Sequence, residues 1–478
     1  MKFIIKLFPE IMVKGTAVKK KMVSQLHDNL RTQLLRGDDS IITKRFWDKI
    51  EVFTQPESRD VVLKVLVQTP GVEQVLEVVQ SEAETLEEIA EQVAKFALPK
   101  IEHKTFVVRV KRSGKHEFTS FEMERFIGGY LLKKGQPKGV DLHTPDYKVE
   151  LEYQQTQLNV ISARHRGLGG FPMGTQGDIL SLMSGGFDST VASYLTMKRG
   201  IKTHFIFFNL GGDAHEIGVK QVALYLWAQF GSSHRVQFIS VPFEKVVEEI
   251  FRASHEGYMG VMLKRLMLQA AETIADQMSI DALVTGESVA QVSSQTLRNL
   301  AVIDEATRKL VLRPLAVMDK PEIMRIADQI GTRHFAESMP EYCGVISKNP
   351  VIHGSFKRMS KEAKQFDNTV LEQAVSEAVF LPVHEIIADV NAKASVEVKH
   401  EIAGAILIDI RQPEEVVRHP RTEANSLQIP FYELNQKFKH LDPSQEYLLY
   451  CEKGVMSQLH AQYLKDRGFN NVKVYRPI

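Results

Sequence analysis

The sequence predicts a multidomain α/β protein: two small α+β units, a doubly wound parallel sheet, and a shorter α/β unit at the end. Three observations predict it. A chain of 478 residues exceeds what one hydrophobic core organises, so about two to four domains are expected. From Ile179 onward, short apolar runs alternate with helical patterns, the order that builds parallel sheets. Composition is that of a folded protein, 44% apolar and 25% charged, which argues against long disordered tracts.

The same numbers narrow the function. A net charge of +1 holds no nucleic acid in bulk, so such a partner needs a local basic surface. Two cysteines, Cys343 and Cys451, exclude a disulfide framework and fit a reducing compartment. The start "MKFIIKLFPEI" has a lysine inside a short apolar stretch and reads as a strand, not a signal peptide. No apolar run approaches the ~20 residues of a membrane helix. A cytoplasmic protein without membrane contact is expected.

Residues 1–60 read as strand "FIIKLF", a helix from about Thr16 to Leu35, and strand "KIEVFT". Residues 61–165 read as strands "VVLKVLV", "TFVVRVKR" and "QLNVISARH", with helices near Thr85–Ala97 and Ser120–Lys133. Charge is segregated in this second unit. Gly71 to Ala94 holds seven Glu and no Lys or Arg, whereas Lys100 to Val140 holds ten Lys or Arg and four acids. Arg109, Lys111, Arg112 and Lys115 fall on or just after one strand. They form either a solvated face or a surface for the phosphates of nucleic acid. A Gly-rich boundary, "RGLGGFPMGTQGD", follows.

The parallel-sheet unit, residues 175–385, has strands "ILSLM", "THFIFFNL", "RVQFISVPF", "DALVTG" and "VLRPLA". The first runs into "SGGFDS" and then a helix. Ser184, Gly185 and Gly186 leave backbone N–H groups open at a helix N-terminus, the geometry that binds phosphate oxygens. No lysine follows the glycines, so this is not a Walker loop. A plain strand–helix turn capped by Asp188 or Ser189 is the alternative. "DALVTGESVAQVSSQT" places Gly286 at a strand end, where a base lies close to backbone, and Gln295 beyond it. In "VMDKPEIMRIADQIG", Asp319 caps a helix with Glu322 as the reciprocal cap. Lys320 has no capping duty and suits a charge role toward phosphate. Lys264 lies on a largely apolar helix, where a snorkelling surface lysine is the plain reading.

"SGGFDS" resembles the SGGxDS loop of the ATP pyrophosphatases, which split ATP between its α and β phosphates and attach AMP to a substrate oxygen. The resemblance implies that Ser184, Gly185, Gly186, Asp188 and Ser189 hold pyrophosphate and magnesium. It also implies that Leu182 and Met183 line the adenine, with Lys264, Gly286 and Gln295 in the nucleotide site. The magnesium would arrive with ATP, and no site held by the protein alone is expected.

Residues 395–478 carry "AILIDIRQPEEV" and "YLLYCEKGVMSQLHAQYLKDRGF", which together resemble a rhodanese domain. Asp409 and Arg411 match its Asp-x-Arg, and Cys451 its sulfur-carrying cysteine. A loop that wraps N–H groups around the sulfur, a helix start near Ser457 and the charge of Lys453 all favour an anionic sulfur. A buried structural cysteine is the alternative. Phosphatase chemistry needs Arg six residues after the cysteine, where Ser457 stands. Paired with a rhodanese-like Cys451, Cys343 in "MPEYCGVISKNP" is expected as the second thiol that cleaves a Cys451 persulfide by exchange, a loop cysteine of no consequence being the alternative.

Taken together, the chain resembles the tRNA sulfurtransferase family, the 4-thiouridine synthetases, in the long form with a fused rhodanese domain. The resemblance implies a ferredoxin-like domain over 1–60 and a THUMP tRNA-binding domain over 61–165, with the basic strand on tRNA. An ATP pyrophosphatase domain then spans 175–385 and a rhodanese domain 395–478. It implies adenylation of a uridine O4 by ATP with magnesium, and catalytic roles for Cys451, Cys343, Asp188 and Lys320. A cysteine desulfurase as persulfide donor and the sulfur-carrier protein of thiazole synthesis follow as partners. Two rivals stay open. A 2-thiouridine-type thiolase shares the nucleotide loop but has a second cysteine in its adenylating domain and no rhodanese unit. An RNA-binding protein with a regulatory nucleotide site is the other.

Overall fold

The computed structural model describes all residues except 211–212, 339–348, 387, 390–395, 412–415, 418, 422, 424–425, 452–454 and 478. Cys343 and Lys453 lie outside the described residues. By its contacts the chain divides into two compact units, one from Met1 to Thr175 with Lys198–Gly200, the other holding the rest.

The first unit is built on one eight-stranded sheet, in the order β2-β3-β1-β4-β8-β7-β5-β6. Its strands are β1 (Lys2–Leu7), β2 (Ile42–Arg45), β3 (Lys49–Phe53), β4 (Val72–Glu82), β5 (Thr105–Ser113), β6 (Gly139–Val140), β7 (Tyr147–Gln154) and β8 (Gln157–Arg166). Helices Thr16–Leu34 and Arg59–Gln68 bury Leu26, Leu30, Val62 and Leu66 against β1 and β3. Helices Leu86–Ile101 and Ser120–Lys134 cover β5 and β7 with Ile89, Val93, Met123 and Ile127. Both of these start with a full capping box, Thr85 with Glu88 and Thr119 with Glu122. β4 pairs antiparallel with β1 on one side and with β8 on the other, so the sheet runs unbroken across Val72–Glu82.

Two elements differ from the pattern reading. "VVLKVLV" is not a strand but the middle of helix Arg59–Gln68. Its buried pair, Val62 and Leu66, is spaced i,i+4, and Pro56 opens the preceding turn. Val72–Glu82, expected only as an acidic stretch, is the longest strand of the sheet. Its apolar residues Val72, Val75, Leu76 and Val79 recur at helical spacing, which hides it. It is a strand because its first half is buried between two neighbours, with Val72, Val75 and Leu76 inaccessible to solvent.

The second unit holds two sheets. The larger has the order β13-β12-β9-β10-β11-β14, with strands β9 (Asp178–Leu182), β10 (Lys202–Asn209), β11 (Gln237–Pro242), β12 (Ala282–Val284), β13 (Leu310–Leu312) and β14 (Val379–Pro382). All neighbours are parallel except β14, which closes the edge antiparallel to β11. This is the doubly wound sheet expected, with helix Met259–Gln277 burying eleven residues in its core. The smaller sheet is parallel throughout, in the order β15-β19-β18-β16-β17. Its strands are β15 (Val398–Lys399), β16 (Ile406–Asp409), β17 (Ser426–Gln428), β18 (Tyr447–Tyr450) and β19 (Val472–Tyr475). Among the described residues no helix is long and apolar enough to cross a membrane.

The helical assignment of 59–68 has a measurable consequence. Leu66→Ala should cost roughly 2–5 kcal/mol, and Val61→Ala, on the exposed face, less than about 0.5 kcal/mol. Calorimetric unfolding of the two variants checks this, and equal losses would contradict the helix.

Candidate active site

The chain moves outward from β9 through β10 to β11 and then returns to β12 on the other side of β9. The crevice between β9 and β12 is therefore a topological switch point, where open parallel sheets bind ligands beyond the strand C-termini. A cavity of about 400 Å³ lies there.

Its floor is the loop after β9, which runs into helix Phe187–Lys198. The Ser189 hydroxyl closes this loop. It accepts from Ser184 N at 3.1 Å, lies 3.0 Å from the Ser184 hydroxyl and donates to the Gly186 carbonyl at 3.3 Å. Ser189 thus serves the loop rather than merely capping the helix. The N–H groups of Gly185 and Gly186 meet no acceptor among the described residues, which leaves them for an anionic ligand. Gly185 has φ +82°, a conformation costly for any side chain.

Gly286 follows β12. A Cβ there would sit 2.5 Å from the Asp188 carbonyl carbon and the Ser189 nitrogen. The backbone that lies against Gly286 is thus the SGGFDS loop itself. Asp188 is held from two sides: Lys320 Nζ donates to Oδ1 at 2.8 Å and Gln291 Nε2 to Oδ2 at 2.8 Å. The expected charge role of Lys320 accordingly begins on Asp188. Asp319 caps its helix by accepting from Glu322 N at 2.8 Å, while the Glu322 carboxylate lies 3.9 Å from Arg325.

The structure brings Leu182, Met183, Ser184, Gly186, Asp188, Ser189, Lys264, Gly286, Gln295 and Lys320 to one cavity. Its apolar end adds Phe207, Phe208 and Met267, a surface suited to a purine ring. Lys264 does not snorkel, because its ammonium turns inward to Glu287 Oε1 at 2.8 Å. Sequence reasoning missed Glu287, Gln291 and His215. His215 Nε2 lies 3.3 Å from the Ser184 carbonyl, and burial lowers its pKa despite that bond. Only position relative to Gly286 in "TGESVAQ" carried any signal for the first two.

In the smaller sheet, β18 ends at Tyr450 and Cys451 follows, buried. Ser457 N–H donates to Cys451 Sγ at 3.3 Å, and the Ser457 hydroxyl lies 3.5 Å from the same sulfur. The helix is Val455–Asp466, so Ser457 sits in its first turn rather than at its start. Asp409, at the end of β16, forms a buried pair with Arg411, whose Nη2 donates at 2.6 Å. The guanidinium lies 5.1 Å from the Tyr450 ring and so braces the strand that presents the sulfur.

On the first unit, Arg109 and Lys111 project from β5 as exposed side chains, Arg112 is half-buried and Lys115 exposed. In the parallel register Glu150 and Glu152 of β7 stand beside Arg109 and Lys111. Those carboxylates are taken by Arg164 and Lys6, each at 2.7 Å. Arg109 is bonded to the Leu142 carbonyl at 3.1 Å, and Lys111 and Lys115 form no ion pair among the described residues.

Gly286→Ala should push the SGGFDS loop, Asp188 included, away from the end of β12 and weaken nucleotide binding more than about tenfold, while the fold persists. Equilibrium ATP titration with a thermal unfolding control measures this. An unchanged affinity would mean that the loop tolerates the displacement.

Residues 174–368 match the thiamine biosynthesis protein (ThiI) family, residues 83–161 the THUMP domain and residues 377–476 the rhodanese-like domain. A tRNA sulfurtransferase of Tolumonas auensis is 49% identical, with 100% of both chains covered. One of Vibrio parahaemolyticus is 50% identical, again over 100% of both. A crystal structure of a 4-thiouridine synthetase–RNA complex with bound ATP is similar at TM-score 0.70 and 25% identity, covering 80% of this chain and 99% of that one. With relatives about half identical over the full length and a rhodanese-like match at its end, this chain belongs to the tRNA sulfurtransferase family, in its long form with a C-terminal rhodanese domain.

Proposed function

We propose that the sulfur transferred to tRNA by this enzyme replaces O4 of a uridine, position 8, after ATP has activated that oxygen. The observation that carries the reading is the open Gly185–Gly186 turn, with Asp188 and Lys320 beside it and Lys264 in the same cavity, in the same chain as a sulfur held by a helix N-terminus. A carbonyl oxygen is a poor leaving group, and an adenylate makes it a good one.

O4 attacks the α-phosphorus, and pyrophosphate leaves into the turn formed by Ser184, Gly185 and Gly186. The open N–H groups and the lysines oppose the charge that develops on it. The donor set also fits magnesium, since the Asp188 carboxylate stands at the phosphate end and can share the ion with phosphate oxygens. Magnesium there would neutralise phosphate charge. The terminal sulfur of a Cys451 persulfide attacks C4, and AMP leaves. The Cys343 thiolate then attacks Cys451 Sγ, the S–S bond breaks, and thiolated tRNA departs as a Cys343–Cys451 disulfide forms. A reductant restores both thiols, and a cysteine desulfurase reloads Cys451. The same persulfide would serve the C-terminus of a sulfur-carrier protein in thiazole synthesis. All of this is cytoplasmic chemistry.

One feature supports the pairing of cysteines. Phe335, in helix Arg333–Ser338, packs against Phe431 at 5.2 Å between ring centres, and Phe431 lies 5.8 Å from His460 of the helix that follows Cys451. Cys343 is five residues beyond Ser338, a reach of at most about 18 Å.

Incubation with tRNA, ATP, cysteine and a desulfurase tests the reading. AMP, pyrophosphate and 4-thiouridine should appear in equal amounts, and ADP with phosphate would contradict it. Asp188→Ala should stop thiolation and keep tRNA binding. Cys451→Ser should load no sulfur. Cys343→Ser should load sulfur but fail beyond one turnover, and non-reducing peptide mapping should find the Cys343–Cys451 link only in the wild type.

Arg109, Lys111, Arg112 and Lys115 should contact tRNA phosphates. Replacing all four by alanine should weaken binding and lower the slope of log affinity against log salt by about three. An unchanged slope places the tRNA elsewhere.

A further inference from the structure

A buried carboxylate behind Lys264, which lines the nucleotide cavity, has no part in the steps above. Glu287 follows Gly286 and is 7% exposed. Its Oε1 accepts from Lys264 Nζ at 2.8 Å. Its Oε2 accepts from Arg313 Nε at 2.8 Å and from the Thr285 hydroxyl at 3.0 Å. Arg313 reaches on to Asp304 with both terminal nitrogens, Nη1 at 3.1 Å. The cluster ties helix Met259–Gln277 to the ends of β12 and β13 and to helix Leu297–Asp304. Burial raises the Glu287 pKa, but the charges of Lys264 and Arg313 outweigh burial and hold it below the usual carboxylate range. The carboxylate is therefore a fixed anion between two cations.

We infer that Glu287 is a positioning residue, which aims the Lys264 ammonium at the phosphates of the bound nucleotide while Arg313 holds Glu287 in place. This rests on the reading that the cavity takes ATP. A lysine side chain has four rotatable bonds, and fixing its end for a ligand costs conformational entropy. Glu287 meets that cost before the nucleotide arrives, which is preorganisation. It uses one of the three ammonium donors and leaves the others for phosphate. Lys264 and Arg313 balance Glu287 and Asp304, so the wall is neutral until a phosphate shares Lys264.

The sign of the effect separates positioning from plain electrostatics. If only charge mattered, removing an anion beside a phosphate site would tighten ATP binding. Positioning demands the reverse.

The experiment uses the full chain in four forms: wild type, Glu287→Gln, Lys264→Met and the double variant. ATP affinity is measured by calorimetry, and adenosine, which lacks phosphates, is measured by competition. Glu287→Gln should weaken ATP roughly tenfold and leave adenosine unchanged. The double variant should bind ATP as Lys264→Met does, within about threefold, because Glu287 acts only through that lysine. If Glu287→Gln does not fold, the comparison of the double variant with Lys264→Met decides alone, since the double also removes the unpaired ammonium. Equal or tighter ATP binding by Glu287→Gln overturns the inference, as does a double variant clearly weaker than Lys264→Met. A wild type that binds no ATP overturns the nucleotide reading itself.

Discussion

The nucleotide site depends on how closely one strand end approaches one loop. The backbone of Gly286 lies against that of Asp188 and Ser189 at a distance that admits no side chain. This contact sets the position of Asp188, from which Lys320 and Gln291 take theirs. It also brings the next residue, Glu287, to the wall where it meets Lys264 and Arg313. Elements that are far apart in sequence are thus placed by one van der Waals limit, and a β12 end held even 1 Å away would scatter them.

Legibility in the sequence followed the range of the forces involved. The central parallel strands β9, β10 and β11 were plain because their middles are buried on both faces and read as continuous apolar runs, as "FIFF" in β10 does. The loop SGGFDS was plain because its chemistry is local. The strand Val72–Glu82 was not, because its apolar spacing is helical and only its two neighbours make it extended. "VVLKVLV" erred the other way: its β-branched residues favour a strand, and packing of Val62 and Leu66 overrides them. Arg313 stayed hidden because a salt bridge to a residue 26 positions away leaves no periodic trace. The basic strand was visible as charge, but the carboxylates of β7 beside it were not, since register is a tertiary property.

Helices beside the two sheets of the second unit meet through aromatic rings. Phe431 lies within 5.0–5.8 Å of His334, Phe335 and His460. Burial pushes the pKa of His460 down to about 4, so at neutral pH it packs as an uncharged ring. Neither of its nitrogens has a partner among the described residues, and a buried unsatisfied polar atom costs roughly 1–3 kcal/mol. The contact is therefore weaker than its area suggests.

The unbroken sheet of the first unit has a metric consequence. Eight strands span seven gaps of about 4.8 Å, so its two edges stand roughly 34 Å apart. No hinge interrupts that span, because β4 is hydrogen-bonded along both sides. An RNA that touches both edges is gauged against a stiff bar rather than wrapped by a pliant one.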